Sequence, residues 1–176
     1  TVECLQRGIP VSYYSKSGSY FGRLESTGHI MVERQRKQDK LYESEFAFEL
    51  GKKILFAKIK NQEVVLRRYA RNKSEDVMEE IKMIEIFFFF FQVSSSVEQM
   101  MGYEGTAAKY YFKGLSKLVD EKFKFNGRSK RPPRDEFNSM LSLGYAILMN
   151  ELYGKIQSKG LNPYFGFIHK DREKHP

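Results

Sequence analysis

Residues Gly102–Phe112, GYEGTAAKYYF, form the stretch from which the fold of this chain is most readily inferred. Small residues surround one carboxylate, Glu104, and aromatic residues follow one to two helical turns later. This pattern predicts a helix that lies close to neighbouring segments, because glycine and alanine let backbones approach one another. A carboxylate in such a place loses hydration, and it needs a cation or hydrogen-bond donors to stay ionised. Glu104 is therefore a candidate ligand for a cation.

The composition is that of a basic chain able to fold. Of its 176 residues, 41% are hydrophobic and 30% are charged, and the net charge is +8. This length suits one domain or slightly more, and the apolar fraction excludes a disordered chain. The positive charge favours a polyanionic partner such as nucleic acid. A helical protein that simply has many surface lysines would show the same excess.

Several classes of site and location are excluded by what the sequence lacks. Cys4 is the only cysteine, so there is neither a disulfide framework nor a cysteine zinc cluster, and a reducing compartment fits. The sequence has no signal-peptide pattern and no apolar span of bilayer length, so we expect no membrane association. Because the chain opens at Thr1 without Met and has few strands, we expect it to be a fragment.

The sequence predicts an α+β fold in which a small, incomplete β domain, residues 1–32, precedes a mainly α-helical domain, residues 33–176. Short runs rich in β-branched and aromatic residues predict the strands Val2–Gln6, Ile9–Tyr14 and Tyr20–Leu24. Apolar residues then recur at helical spacing. The expected helices are one or two between Arg34 and Asn72, one capped by Ser74 that starts at Glu75-Asp76, one from Val97 to Phe125, and one from Asp135 to Lys159 that Gly160 ends.

Two basic regions are candidates for phosphate binding. The first is one side of the long helical segment, comprising Arg34, Arg36, Lys37, Lys52, Lys53, Lys58, Lys60, Arg67, Arg68 and Arg71. The second is the loop Asn126–Pro133, NGRSKRPP, since every charge from Lys122 to Arg134 is positive. A solvated helix face and an ordinary surface loop are the alternatives. Asn138 and Asn150, on the last helix, are interpreted as hydrogen-bonded core amides.

The remaining chemistry points to a metal site. The chain has neither a GxxxxGK[ST] loop nor a Gly-x-Ser-x-Gly elbow, which disfavours P-loop ATPases and serine hydrolases. The segment Gly166–His169, GFIH, supplies an imidazole. If Glu104 and His169 meet, a carboxylate, one imidazole and water suit Mg²⁺ or Mn²⁺ better than a structural Zn²⁺. A glutamate and a histidine so far apart in sequence can equally be unrelated. The run Phe87–Phe91 cannot lie on one face of a helix, and its role is open.

Three C-terminal stretches carry a family resemblance: GYEGTAAKYYF, NGRSKRPPRDEFNSMLSLGYAILMNELYGKI and GLNPYFGFIHKDREKHP. With CLQRGIPVSYYSKSGSYFGRL and FAKIKNQEVVLRRYAR before them, nearly the whole chain resembles the CRISPR-associated spacer-acquisition integrase and endonuclease, the "Cas-one" family. The resemblance implies that the helical domain is catalytic and that a Glu, a His and an Asp bind its metal. Glu104 and His169 match the first two ligands. The Asp is expected beyond Pro176, since Asp171 is too close to His169.

The resemblance also implies a reaction and partners. The reaction is insertion of spacer DNA into the repeat array by attack of a 3′-hydroxyl on a phosphodiester, with Mg²⁺ or Mn²⁺ as cofactor. The implied partners are double-stranded DNA, a second copy of the chain and the small CRISPR-associated "Cas-two" protein, in the cytoplasm of a prokaryote. The residues expected to contact DNA are Arg128, Lys130, Arg131, Arg134, Lys170 and Arg172.

Two alternatives to catalysis stay open. In a nucleic-acid-binding module without catalysis, Glu104 would be an ordinary buried carboxylate paired with a nearby Lys or Arg. In a helical interaction protein, the positive charge would be incidental. The CRISPR subtype, the preferred repeat and the residues that contact the partner protein do not follow from the sequence.

Overall fold

The computed structural model describes residues 1–16, 20–73, 76–123 and 125–168, without the side chains of Tyr20, His29 and Asn72. Its architecture is α+β, as predicted, with a two-stranded antiparallel sheet near the amino end followed by helices. The elements are α1 (Val2–Gln6), β1 (Val11–Tyr14), β2 (Tyr20–Leu24), α2 (Val32–Leu41), α3 (Glu45–Asn72), α4 (Met78–Gln92), α5 (Val97–Leu118) and α6 (Glu136–Ser158).

The chain divides into two compact units. The helical unit comprises Glu43–Ala146, and the terminal unit comprises Thr1–Tyr42 with Ile147–Pro176. The division into units therefore falls within α6. The domain boundary predicted after residue 32 was placed where the sequence pattern changes from strands to helices, and it stays a prediction.

The hairpin of the terminal unit confirms two of the three predicted strands. β1 and β2 pair antiparallel with Val11 opposite Leu24, and their register shifts after Tyr13. The strand predicted at Val2–Gln6 is wrong, because this segment forms the helix α1. Glu3 and Arg7, four residues apart, form an ion pair that suits a helical turn and that an extended strand would separate. Cys4 thus lies in a helix and not in a strand.

The end of α6 is fixed to α2 inside the terminal unit. Gly160 has φ +74°, and a Cβ placed there would lie 2.6 Å from the Cβ of Met31, so only glycine fits. Arg34 donates to the carbonyl of Lys159 at 2.7 Å. Gln38 binds the backbone of Asn162 twice, as donor and as acceptor, each at 2.8 Å. The predicted stop of this helix at Gly160 is confirmed.

The core of the helical unit is formed by α3, α4 and α5, which all pack against one another. Its least exposed apolar residues, at 0–2%, include Ile59, Leu66, Ile81, Ile84, Phe91, Met100 and Ala107. Serine side chains cap two of these helices: Ser44 accepts from the amide of Ala47, and Ser96 accepts from that of Gln99.

Two predicted helix limits are wrong. The helix expected to start at Glu75-Asp76 starts at Met78, whose amide donates to the carboxylate of Asp76, a turn that delays the helix. Ser74, its predicted cap, lies outside the described residues. The helix expected to continue to Phe125 ends at Leu118, because Val119 is extended. One or two helices were predicted between Arg34 and Asn72, and the structure has two, α2 and α3.

The phenylalanine run lies at the end of α4 and is only partly buried. Successive residues of a helix are about 100° apart, so five cover all of its sides. Phe91 is fully buried, whereas Phe89 is 62% exposed and Phe90 42%. Phe87 stacks on Tyr110 of α5, and Phe88 contacts Phe56 of α3. One side of the run therefore joins the three helices, while the other forms an apolar surface.

Close approach of helices occurs at a different glycine from those predicted. Apart from α5 itself, no described atom lies within 4 Å of a Cβ built on Gly102 or Gly105. At Gly114 such a Cβ would lie 3.0 Å from Cδ1 of Leu66 and 3.3 Å from Cβ of Glu80. The prediction that Gly102 and Gly105 allow close packing is thus wrong in the described chain, and Gly114 has that role.

Glu80 is a fully buried carboxylate that joins α4 to α5. Its two oxygens lie 3.0 Å from the ammonium groups of Lys113 and Lys117. Burial by itself raises the pKa of this carboxyl, but the contacts with the two lysines and a backbone hydrogen bond together outweigh burial and leave the pKa below its ordinary value. Glu80 therefore stabilises the folded chain in its ionised form.

The glycine contacts give a matched pair of variants. We expect Gly105→Ala to raise the free energy of unfolding by about 1 kcal/mol, because alanine is the better helix former. Gly114→Ala gains the same propensity but forces the fully buried Leu66 to move, so it should be less stable than Gly105→Ala by about 1–3 kcal/mol. Urea unfolding measures both. Equal stability of the two variants would show that Leu66 and Glu80 yield without cost.

Glu80 also gives a pH-dependent prediction. Glu80→Gln should lower the free energy of unfolding at pH 7 by about 1–3 kcal/mol, because it removes charge-assisted hydrogen bonds. A lowered folded-state pKa stabilises above the unfolded value, about 4.3, and this contribution is lost as the pH falls through the folded pKa. The difference from the parent chain should therefore persist at pH 6 and shrink below pH 4.

The control is Glu79→Gln, which changes an exposed neighbour 3.4 Å from Lys113. It should cost less than about 0.5 kcal/mol at any pH, as exposed ion pairs do. A Glu80→Gln variant whose deficit does not change with pH would contradict this account.

Candidate metal and nucleic-acid site

Glu104 lies on the buried side of α5, where it faces α3. Met100, four residues before it, and Ala107, three residues after it, are both fully buried, so the carboxylate belongs to the packed stripe of the helix. The residue is only 7% exposed. The prediction of a carboxylate that has lost its hydration is thereby borne out for the described chain.

The cation beside Glu104 is Lys58 of α3, whose Nζ lies 2.6 Å from Oε1 of Glu104. The contact lacks the angles of a hydrogen bond, and Oε1 has no hydrogen-bond partner although it is buried. The side chain of Lys58 is 48% exposed. Charge attraction therefore holds the pair, and one oxygen lacks a directed donor.

This carboxylate fits a hard divalent cation. An anionic oxygen that is buried and has no hydrogen bond is the kind of donor that Mg²⁺ and Mn²⁺ bind. Within residues 1–16, 20–73, 76–123 and 125–168, no group of three or more His, Cys, Asp or Glu is arranged to hold a metal. His169 and Asp171 lie outside the described residues, so the predicted meeting of Glu104 and His169 stays a prediction. Lys170 and Arg172, predicted to contact DNA, also lie outside them.

The basic loop before α6 is organised by Asn138, which is fully buried. Its side-chain oxygen accepts from the amide of Ser129 at 2.9 Å and from Arg128 at 3.0 Å. Its side-chain nitrogen donates to the carbonyl of Gly127 at 2.9 Å and to Asp135 at 2.7 Å. The prediction of a hydrogen-bonded core amide is confirmed for this residue. Asn150 is partly buried.

The four loop residues predicted to contact DNA differ in accessibility. The guanidinium of Arg128 turns inward, where it donates to Asn138 and to Ser142 and lies over the ring of Tyr145. Lys130, Arg131 and Arg134 are exposed. The loop borders an open concavity of about 580 Å³ that Arg128 and Arg134 help to line. The geometry thus presents three cations to solvent and uses the fourth to shape the loop.

Half of the cations on the basic side of the long helical segment are engaged with the chain itself. Five of its ten cations contact acceptors of their own unit: Arg34, Lys52, Lys58, Lys60 and Arg67. Lys53, Arg68 and Arg71 are exposed. A role for this surface in binding phosphates stays a prediction.

Neither the two buried carboxylates Glu63 and Glu80 nor the pairing of Lys58 with Glu104 was predicted from the sequence. Glu80 and Glu63 are as deeply buried as Glu104, and each contacts two cations. Lys113 and Lys117, one turn apart on α5, give a weak signal for a shared acid. No sequence signal connects Lys58 to Glu104, because the pair is formed by the packing of α3 on α5.

Comparison with known proteins shows the family of the chain. Residues 1–176 match the family model described as "CRISPR associated protein Cas1". The chain belongs to the Cas1 family. It is 38% identical over 175 residues to the "CRISPR-associated endonuclease Cas1" of Mycobacterium tuberculosis, covering 99% of this chain and 51% of that protein. A Cas1 endonuclease of Thermus thermophilus is 34% identical, covering 98% and 50%. This Cas1 chain thus spans about half the length of the curated relatives it matches.

Solved structures of other proteins share the fold. A chain of a "Cas6-RT-Cas1--Cas2 complex" superimposes with TM-score 0.80 at 26% identity, covering 99% of this Cas1 chain and 19% of the other. A "Casposase bound to integration product" gives TM-score 0.78 at 23% identity, covering 99% and 50%, a level that supports the fold alone. Among the described helices of this Cas1 chain, none is long and apolar enough to cross a membrane.

The role of Asn138 in the loop can be tested by proteolysis. Asn138→Ala leaves Arg128, the Ser129 amide and the Gly127 carbonyl without their buried partner, which should cost about 1–3 kcal/mol locally. Trypsin should then cut after Lys130 at least several-fold faster than in the parent chain. Ser139→Ala, next along the helix, removes only an exposed hydroxyl and serves as the control. Equal cleavage rates in both variants would show that Asn138 does not hold the loop.

Proposed function

We propose that this chain forms part of a divalent-metal-dependent DNA endonuclease and integrase of CRISPR adaptation. The observation that carries the proposal is Glu104, a buried carboxylate with one unsatisfied oxygen on the helix whose sequence resembles the family signature. Family membership over residues 1–176 and relatives named as endonucleases support it. The reaction is attack of the 3′-hydroxyl of spacer DNA on a phosphodiester of the repeat, or hydrolysis of such a bond.

The proposed metal ligands are Glu104, His169 and an Asp expected beyond Pro176. Bound Mg²⁺ or Mn²⁺ would supply Lewis acidity at the phosphate and stabilise charge on the entering and leaving oxygens. Glu104 supplies an anionic oxygen whose position is fixed by the packing of α5 on α3. The buried surroundings of Glu104 exclude water from one side of the carboxylate, which strengthens its attraction for a cation.

Exposed cations of the basic loop would hold the DNA backbone. Lys130, Arg131 and Arg134 are the accessible candidates, joined by Lys170 and Arg172 from the carboxyl end. Arg128 would act mainly by shaping the loop, although it lines the same concavity. Such contacts to phosphates position a duplex and read little of its sequence. The partners proposed are double-stranded DNA, a second copy of the chain and the Cas2 protein, in the prokaryotic cytoplasm. Solved complexes of relatives with Cas2 support the last of these partners.

A second candidate function is a basic helical nucleic-acid-binding module without catalysis. The ion pair of Glu104 with Lys58 favours it, because a carboxylate neutralised by a lysine needs no metal. The two candidates differ in what the removal of Glu104 does to chemistry and to binding.

The deciding experiment measures Mn²⁺-dependent joining of a short labelled duplex to a plasmid that contains repeats. It uses the complete parent protein with its Cas2 partner, beside Glu104→Ala and the conservative Glu104→Gln. We expect both variants to lose at least about 100-fold in joining, as removal of a metal ligand does, while DNA binding persists. Glu98→Ala, an exposed carboxylate on the same helix, is the control and should join normally.

Retained joining in both Glu104 variants would refute the assignment of this ligand. Salt-sensitive DNA binding with no joining or cleavage by the parent protein would instead support the binding module. Circular dichroism of each variant separates loss of a ligand from loss of the fold.

A further inference from the structure

Among the described residues of the helical unit, three carboxylates are buried, and they differ in how they are neutralised. Two of them have two cationic partners each, of which at least one donates a hydrogen bond. These are Glu63, with Lys60 at 2.8 Å and Arg67 at 2.7 Å, and Glu80, with Lys113 and Lys117 at 3.0 Å. Glu104 differs from both, because the described chain gives it Lys58 alone, without hydrogen-bond geometry. The positive charge beside Glu104 is therefore the most weakly fixed of the three.

The ammonium of Lys58 is well placed to move away from Glu104. Its side chain is about half exposed, so its ammonium can return to water by rotation of its own flexible stem. The carboxylate cannot follow, since Glu104 is on the packed stripe of α5. The pair thus joins a fixed anion to a movable cation.

We propose that Lys58 is an exchangeable internal counter-ion of Glu104, which neutralises the charge of the buried carboxylate until a divalent cation displaces it. The inference rests on the proposed function, because it takes Glu104 as a metal ligand. A lysine and a divalent cation at the same carboxylate oxygen repel each other, so binding of the metal requires Lys58 to withdraw. The affinity for metal is accordingly set in part by the strength of the Lys58–Glu104 pair.

The test is a Mn²⁺ titration of the complete protein, followed by the electron paramagnetic resonance signal of free Mn²⁺. Lys58→Met keeps the length of the side chain and removes its charge. We expect it to bind Mn²⁺ about three- to tenfold more tightly, the factor that corresponds to a partly exposed ion pair. Lys58→Arg keeps the charge and should stay within about twofold of the parent protein.

Lys60→Met is the matched control. Lys60 lies two residues further along α3, is 51% exposed and pairs with buried Glu63 at 2.8 Å, but it does not contact Glu104. Its loss should leave the affinity for Mn²⁺ unchanged. A second readout is thermal unfolding in chelator: Lys58→Met should melt below the parent protein, because Glu104 loses its counter-ion, and Mn²⁺ should raise its melting temperature more than that of the parent.

The outcomes separate this inference from the proposed function. Unchanged Mn²⁺ affinity in Lys58→Met, with binding abolished in Glu104→Ala, overturns the role of Lys58 and leaves the metal site standing. Weaker Mn²⁺ binding in Lys58→Met also overturns it. Binding that is unchanged in Glu104→Ala removes Glu104 from the metal site, and the proposal for Lys58 fails with it.

Discussion

Packing α3, α4 and α5 together requires that the carboxylates buried between them be paired with cations. Glu80 shows the strongest form of this constraint, since it is fully buried and two lysines of α5 contact its oxygens. The lysines hold the pKa of Glu80 below its ordinary value despite burial. Uncompensated, such a charge would cost several kcal/mol, more than most single contacts contribute. Polar pairing therefore determines how these helices can meet as much as apolar packing does.

Glu104 is a candidate metal ligand because its pairing with a cation is incomplete: the ion pair with Lys58 leaves one buried oxygen without a hydrogen bond. Its neighbours on α5 are core residues, so the carboxylate is held as firmly as the hydrophobic side chains around it. Its single lysine, half exposed and poorly aligned, neutralises the charge without saturating it. A further cation binds most favourably to an anion that is held in place and has an oxygen without a hydrogen bond. A lysine that donates no hydrogen bond distinguishes this firmly packed carboxylate from Glu63 and Glu80, each of which accepts at least one hydrogen bond from a cationic partner.

In the basic loop, the buried amide of Asn138 holds the backbone in a conformation that exposes neighbouring cations to solvent. The Asn138 side chain binds three loop residues, Gly127, Arg128 and Ser129, so the cations that follow are displayed on a hydrogen-bonded segment. An ordered loop loses less conformational entropy when it binds a polyanion. The price is that one arginine expected to contact phosphate is turned inward.

The sequence by itself determined the α+β class, the two strands of the hairpin, the helices of the C-terminal half and the loss of hydration at Glu104, because periodicity, caps and local motifs act over a few residues. A segment of five residues is too short to show a helical period, which is why the sequence predicts a strand at Val2–Gln6 where the structure has a helix. Only the tertiary structure decided that Gly114 is the point of close approach and that Lys58 faces Glu104. These contacts join residues far apart in the chain, and their geometry depends on how whole helices pack, which no local pattern encodes.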